Sequence, residues 1–149
     1  MRQATRSHPR THRFAHNGAV SDSLNHRIAR ELWNAVSNAD VDRIERLSSD
    51  GLVWHTTGRG PRAGTYRGRQ VVLDHLAEIG EHADRFDSEL EDILVGVHYT
   101  ALLYRVRAAR LDRKLDTRWV LLLRIADERL AEAWSIPSDQ HAVDEFWAA

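Results

Sequence analysis

From Phe86 to Ile136 the chain runs through β-forming stretches whose links are too short for anything but hairpins. The spacing predicts strands over residues 86–94, 98–110, 115–126 and 130–136, turned by Gly96, Asp112-Arg113 and Asp127-Glu128. A long antiparallel meander of this kind has one face to bury. The segment before it supplies the cover. Leu24, Ile28, Leu32 and Val36, flanked by Ala29 and Trp33, form the stripe of an amphipathic helix. Asp40 caps a second, shorter helix with Val41, Ile44 and Leu47 as its apolar positions. Residues 52–57 read as a strand, residues 58–68 as a glycine-punctuated loop, and Val71, Val72, Leu76, Ile79 and Ala83 as one side of a third helix. Residues 138–147 form a terminal helix or clamp, for which Asp139 is the natural cap. The order α-α-β-α-β-β-β-β is an α+β fold with helices on one face of a curved, mainly antiparallel sheet.

Charge divides the chain. Residues 1–21 carry Arg2, Arg6, Arg10 and Arg13 and no acid, a charge of +4, whereas the remainder carries −5. Residues 1–23 therefore read as a basic arm and residues 24–149 as a single domain, which suits a chain of 149 residues. An acidic body with a short basic arm is not a nucleic-acid-binding pattern. The absence of cysteine removes thiol chemistry and fits a reducing cytoplasm. No apolar run is long enough to span a bilayer, so no membrane partner is expected.

Hairpin register sorts the side chains. If Asp112-Arg113 and Asp127-Glu128 are two-residue turns, Tyr104 lies opposite Leu121, Val106 opposite Trp119, Leu121 opposite Trp134 and Leu123 opposite Glu132. One face then gathers His98, Leu102, Tyr104, Trp119, Leu121, Glu132, Trp134 and Ile136, the makings of an apolar small-molecule pocket. The other gathers Leu103, Arg105, Arg118, Val120, Leu122, Arg124, Ala131 and Ala133, a surface suited to cover by a second copy in a homodimer.

The stretch VWHTTGRGPRAGTYRG at residues 53–68, the meander, and EAWSIPSDQHAVDEFW at residues 132–147 together resemble the SnoaL-like branch of the nuclear transport factor 2-like, or ketosteroid isomerase-like, superfamily. The resemblance implies a cone-shaped, cystatin-like barrel that hosts cyclases, isomerases, dehydratases, hydrolases and non-enzymes alike. Aligned on Pro61–Gly64, His55 takes the place of the isomerases' general base, whereas alignment on Asp40 moves that place to Thr56. The oxyanion-donating tyrosine of the isomerases becomes Leu32, and the last aspartate of the limonene epoxide hydrolases becomes Ile136. Both departures count against those two reactions.

His55, Tyr104 and Glu132 are thus the catalytic candidates, with Trp33, Trp54, His98, Trp119 and Trp134 as substrate-binding walls. Imidazole can accept a proton near neutral pH while a phenol or carboxylic acid donates one. No metal-ligand spacing, phosphate loop or dinucleotide fingerprint occurs, so neither metal nor cofactor is expected. The expected activity is cofactor-free acid–base chemistry on a bulky apolar carbonyl metabolite. The alternative is a non-catalytic ligand-binding or dimerising domain.

Overall fold

The structure, a computed structural model, describes residues 18–149, so most of the basic arm lies outside the described residues. Helix α1 (Gly18–Ser37) starts ahead of the apolar stripe and buries Ile28, Ala29, Leu32 and Ala35. Asp40 caps α2 (Val41–Leu47) by accepting from Arg43 N at 3.2 Å. Ile44 is buried there, but Val41 is 45% exposed, contrary to expectation. The chain turns without a loop into β1 (Ser48–Thr56), which buries Leu52 and Trp54.

The segment expected to be all loop contains a short strand, β2 (Gly64–Arg67), antiparallel to β1. Thr65 and Tyr66 are β-formers, and the free edge of β1 offers them a ladder that overrides the glycines around them. Helix α3 (Arg69–His82) buries Val72, Leu73 and His75, whereas Val71 points outward. The meander follows as β3 (Arg85–Val95), β4 (Thr100–Arg110), β5 (Arg113–Ala126) and β6 (Arg129–Pro137), and α4 (Gln140–Trp147) closes the chain. The Asp139 carboxylate caps α4, accepting from Ala142 N at 3.0 Å.

The sheet has six strands in the order β2-β1-β6-β5-β4-β3, with β1 parallel to β6 and every other pair antiparallel. It remains an open sheet, with β2 and β3 as its edges, rather than a closed barrel.

Two details of register differ from the sequence reading, with opposite consequences. The β4–β5 turn is Leu111-Asp112, with Leu111 at φ 56°, so Arg110 pairs with Arg113 and Tyr104 with Trp119. That slip is two positions long, and every side chain keeps its face. Leu102, Val106, Leu121 and Leu123 are accordingly buried, while Arg105, Arg118 and Arg124 lie on the other side. The β5–β6 turn is Asp127-Glu128 as expected, with both residues at positive φ. Beyond it, however, a bulge between Ile125 and Arg124 shifts the pairing by one. Every later residue of β6 is inverted. Ala133 and Ser135 point inward, and Glu132, Trp134 and Ile136 point outward. A bulge here relieves the cost of burying Glu132 among Leu102, Leu123 and the helices, where a carboxylate would have been desolvated.

Candidate active-site cavity

Helices α1, α2, α3 and α4 leave a cavity of about 430 Å³ against the inner face of the sheet. Its aromatic walls are Trp33, Trp54, Phe86, Tyr104, Trp119 and Trp147. Trp33 and Trp54 reach it from α1 and β1. Tyr104 and Trp119 are cross-strand partners whose rings stack at 6.4 Å and 15°. Trp33 leans on Tyr104 with centroids 4.9 Å apart.

Polar groups punctuate this wall. Trp119 Nε1 donates to Ser135 Oγ at 2.9 Å, a contact that exists only because the bulge turns Ser135 inward. Burial pushes the Tyr104 phenol far above its ordinary pKa, and the neighbouring Ser135 hydroxyl offsets this only in part. A phenol is neutral at physiological pH without any shift, so burial only makes Tyr104 a weaker acid, and its hydroxyl can donate a hydrogen bond. Thr56 lines the cavity, and its Oγ1 lies 2.9 Å from Nε2 of His75, a buried imidazole stacked on Tyr66 at 3.7 Å. Burial, reinforced by the Arg62 cation, lowers the His75 pKa to about 4, so this imidazole is neutral near pH 7. Arg62 lines the same cavity with its guanidinium over the Trp147 ring at 4.9 Å.

Two carboxylates also line the cavity, and both are engaged. Asp144 accepts from the backbone N–H of Arg59 and Gly60 and from Gln140 Nε2. Asp84 accepts from Leu111 N at 2.9 Å. Gln140 in turn accepts from Thr57 Oγ1 at 2.6 Å, so the glycine loop after β1 is tied to α4.

The expected site is split in two. Tyr104, Trp33, Trp54 and Trp119 line the cavity as the sequence reading has it. His55, Glu132 and Trp134 do come together, but on the outer face. His55 sits between the inward-facing Trp54 and Thr56, so strand alternation turns it away from the cavity. Its Nε2 donates to Glu132 Oε2 at 2.6 Å, its Nδ1 lies 3.0 Å from Thr65 Oγ1, and its ring stacks on Trp134 at 5.2 Å. The hydrogen bond from His55 holds the Glu132 carboxyl below its usual range, with Arg124 Nε at 3.5 Å adding to the effect. This is the reverse of the raised value that burial would have produced. His98 is exposed in the β3–β4 turn, ahead of the first residue of β4, and forms no wall. Residues that sequence reasoning passed over are Arg62, His75 and Ser135, and Thr56 takes the inward place that the alignment on Asp40 offered as the alternative to His55. Glu132 on an otherwise apolar face was the signal for the bulge, and hence for Ser135.

The SnoaL-like domain model matches residues 29–133. The chain belongs to the SnoaL-like domain family. An uncharacterized protein of Mycobacterium tuberculosis is 25% identical to this SnoaL-like chain over 131 residues, which cover 87% of this chain and all of that protein. Among solved structures, Bal32a from a soil-derived mobile gene cassette superposes with a TM-score of 0.81 at 23% identity, covering 85% of this chain and 98% of its own. A protein of Jannaschia sp. described as a candidate SnoaL-like polyketide cyclase gives a TM-score of 0.73 at 16% identity, covering 86% of this chain and 94% of its own. At these identities the two structures share the fold. Among the described residues no His, Asp and Glu cluster of metal-binding geometry occurs, and no helix is long and apolar enough to cross a membrane.

Proposed function

We propose that this SnoaL-like domain binds a bulky, mostly apolar carbonyl compound in the cavity and acts on it by cofactor-free acid–base chemistry, as a polyketide-type cyclase, isomerase or dehydratase. The observation that carries the reading is the place of Tyr104, a phenol on the wall of an aromatic cavity between Trp33 and Trp119. A donor fixed in a water-poor site stabilises negative charge that develops on a carbonyl oxygen. Thr56 relays the proton leaving the carbon next to that carbonyl, its hydroxyl oxygen taking that proton as its own passes to the neutral Nε2 of His75, a base that burial makes weak. A description of the Jannaschia protein as a candidate polyketide cyclase agrees with this class of substrate.

The second reading is a ligand-binding domain without catalysis. It is favoured by the displacement of the His55–Glu132 pair to the outer face, which leaves the inner face rich in donors and poor in free bases.

Deuterium uptake separates the two. Aromatic methyl ketones such as 2-acetylnaphthalene are incubated with the protein in deuterium oxide, and loss of the α-proton signal is followed by NMR. Exchange above the buffer rate, lost in Tyr104→Phe, supports the enzyme. Binding without exchange supports the second reading.

A further inference from the structure

Arg62 enters the acid–base reading only through its charge on His75, yet it is the most unusual polar group of the cavity. Its side chain is only 15% exposed. The loop that carries it is pinned, because Tyr66 Oη donates to Arg62 O at 2.8 Å and Ala63 N donates to Gly60 O at 3.1 Å. One guanidinium nitrogen, Nη1, reaches Glu78 Oε2 at 3.3 Å, but that carboxylate is 60% exposed and shares its charge with solvent. The buried Nε–H has no hydrogen-bond partner among the described residues. The Trp147 ring covers the guanidinium, and Asp144 and Asp84, which line the same cavity, already accept from other groups. The guanidinium is thus enclosed, paired with one solvent-screened carboxylate and one hydrogen bond short of its full set, which leaves its charge weakly compensated beside the cavity.

We infer that Arg62 selects ligands with an acidic oxygen, so that the molecule received by the cavity is an apolar carboxylate or an enolised dicarbonyl rather than a neutral ketone. This rests on the cavity being the binding site, as proposed above, and names the chemical class it takes. The anionic oxygen pairs with the Arg62 guanidinium, while the apolar body lies against Trp33, Trp54 and Trp119. The Arg62 charge also contributes to keeping His75 neutral, so the anion-reading group and the proton route are electrostatically linked.

The test compares 2-naphthoate with methyl 2-naphthoate, which share an apolar body and differ in charge, by isothermal titration calorimetry at pH 7.5. The wild-type protein is expected to bind the acid at least about tenfold more tightly, as a charge-assisted hydrogen bond in an enclosed site requires. The preference should persist at about 0.5 M salt, where pairing with surface arginines is screened. Arg62→Gln should abolish it by weakening the acid alone, and Arg62→Lys, which keeps the charge but not the planar fork, should retain part of it. Equal binding of the two probes by the wild type, a preference that collapses with salt, or one that survives in Arg62→Gln overturns the inference. If Arg62→Gln does not fold, the wild-type comparison and Arg62→Lys still decide. Binding of neither probe removes both this inference and the cavity reading. A preference for the acid without deuterium uptake by ketones leaves this inference standing and removes only the catalytic one.

Discussion

His55 Nε2 lies 2.6 Å from Glu132 Oε2 across the neighbouring strands β1 and β6, on the outer face of the sheet, and the sheet itself separates the pair from the cavity. With His55 stacked on Trp134 and Glu132 also facing Arg124, the pair forms part of a surface cluster on β1, β5 and β6. His55→Ala is therefore expected to change ketone deuterium exchange by less than about twofold, against the roughly 10²–10⁴-fold loss that removal of a general base causes. A loss in that larger range, measured by NMR on a folded variant, would show that the pair reaches the substrate after all.

Tyr104→Phe removes one hydroxyl and keeps the ring that touches Trp33 and Trp119. Exchange should fall by about 10²-fold or more, the usual cost of removing one donor to a developing oxyanion. Affinity for 2-acetylnaphthalene should change far less, because the apolar wall stays. Equal losses in both quantities would mark Tyr104 as a binding residue only.

His75 contributes a pH dependence whose sign follows from its lowered pKa of about 4. Between about pH 4 and pH 6.5 the unfolded chain binds a proton at this position that the folded chain does not. The neutral, buried His75 is therefore at its full worth above pH 6.5 and loses it as the pH falls. The stability gap between the wild type and His75→Gln should narrow by an amount on the order of 2–3 kcal/mol from pH 7 to pH 4 in urea titrations. A gap independent of pH would mean that His75 titrates as an ordinary histidine.

Gly58 sits at φ +107° against α4, where an added Cβ would collide with Gln140 Nε2 and Asp144 Oδ1. Gly58→Ala should destabilise by roughly 1–3 kcal/mol through backbone strain and loss of the loop-to-helix ties. Gly51, which has nothing within 4 Å of an added Cβ, is the control. Similar urea midpoints for the two variants would show that the tie between this loop and α4 carries no stability.

The outer face presents Leu103, Val120, Leu122, Trp134 and the 39% exposed Ile136 among arginines. A second copy across a two-fold axis is the proposed cover, since an apolar sheet face left in water invites association. Sedimentation equilibrium at a concentration on the order of tens of micromolar should give a dimer, and Leu122→Glu should give a monomer. A monomeric wild type would leave this face without the proposed partner.

Sequence by itself determined the order of the helices and of the five longer strands, because period and turn chemistry are local, whereas the short β2 needed the edge of β1 to form. The α1 stripe, the Asp40 and Asp139 caps and the strands of the meander are each written within a few neighbouring residues. It also determined the inward set on β4 and β5, since a slip of two positions at the Leu111-Asp112 turn restores the same face. Only the tertiary structure decided what β6 contributes. The bulge at Ile125 and Arg124 has no signature in the turn residues, only the misfit of Glu132 on an apolar face, and its effect is to exchange Glu132 and Trp134 for Ala133 and Ser135 on the cavity wall. The same holds for Arg62, which reads in sequence as one more loop arginine. It becomes a cavity group only where α3 brings Glu78, and α4 brings Trp147, to the loop between β1 and β2. Faces follow from alternation until a register shift intervenes, and register is set by the energy of burying the whole face rather than by any one residue.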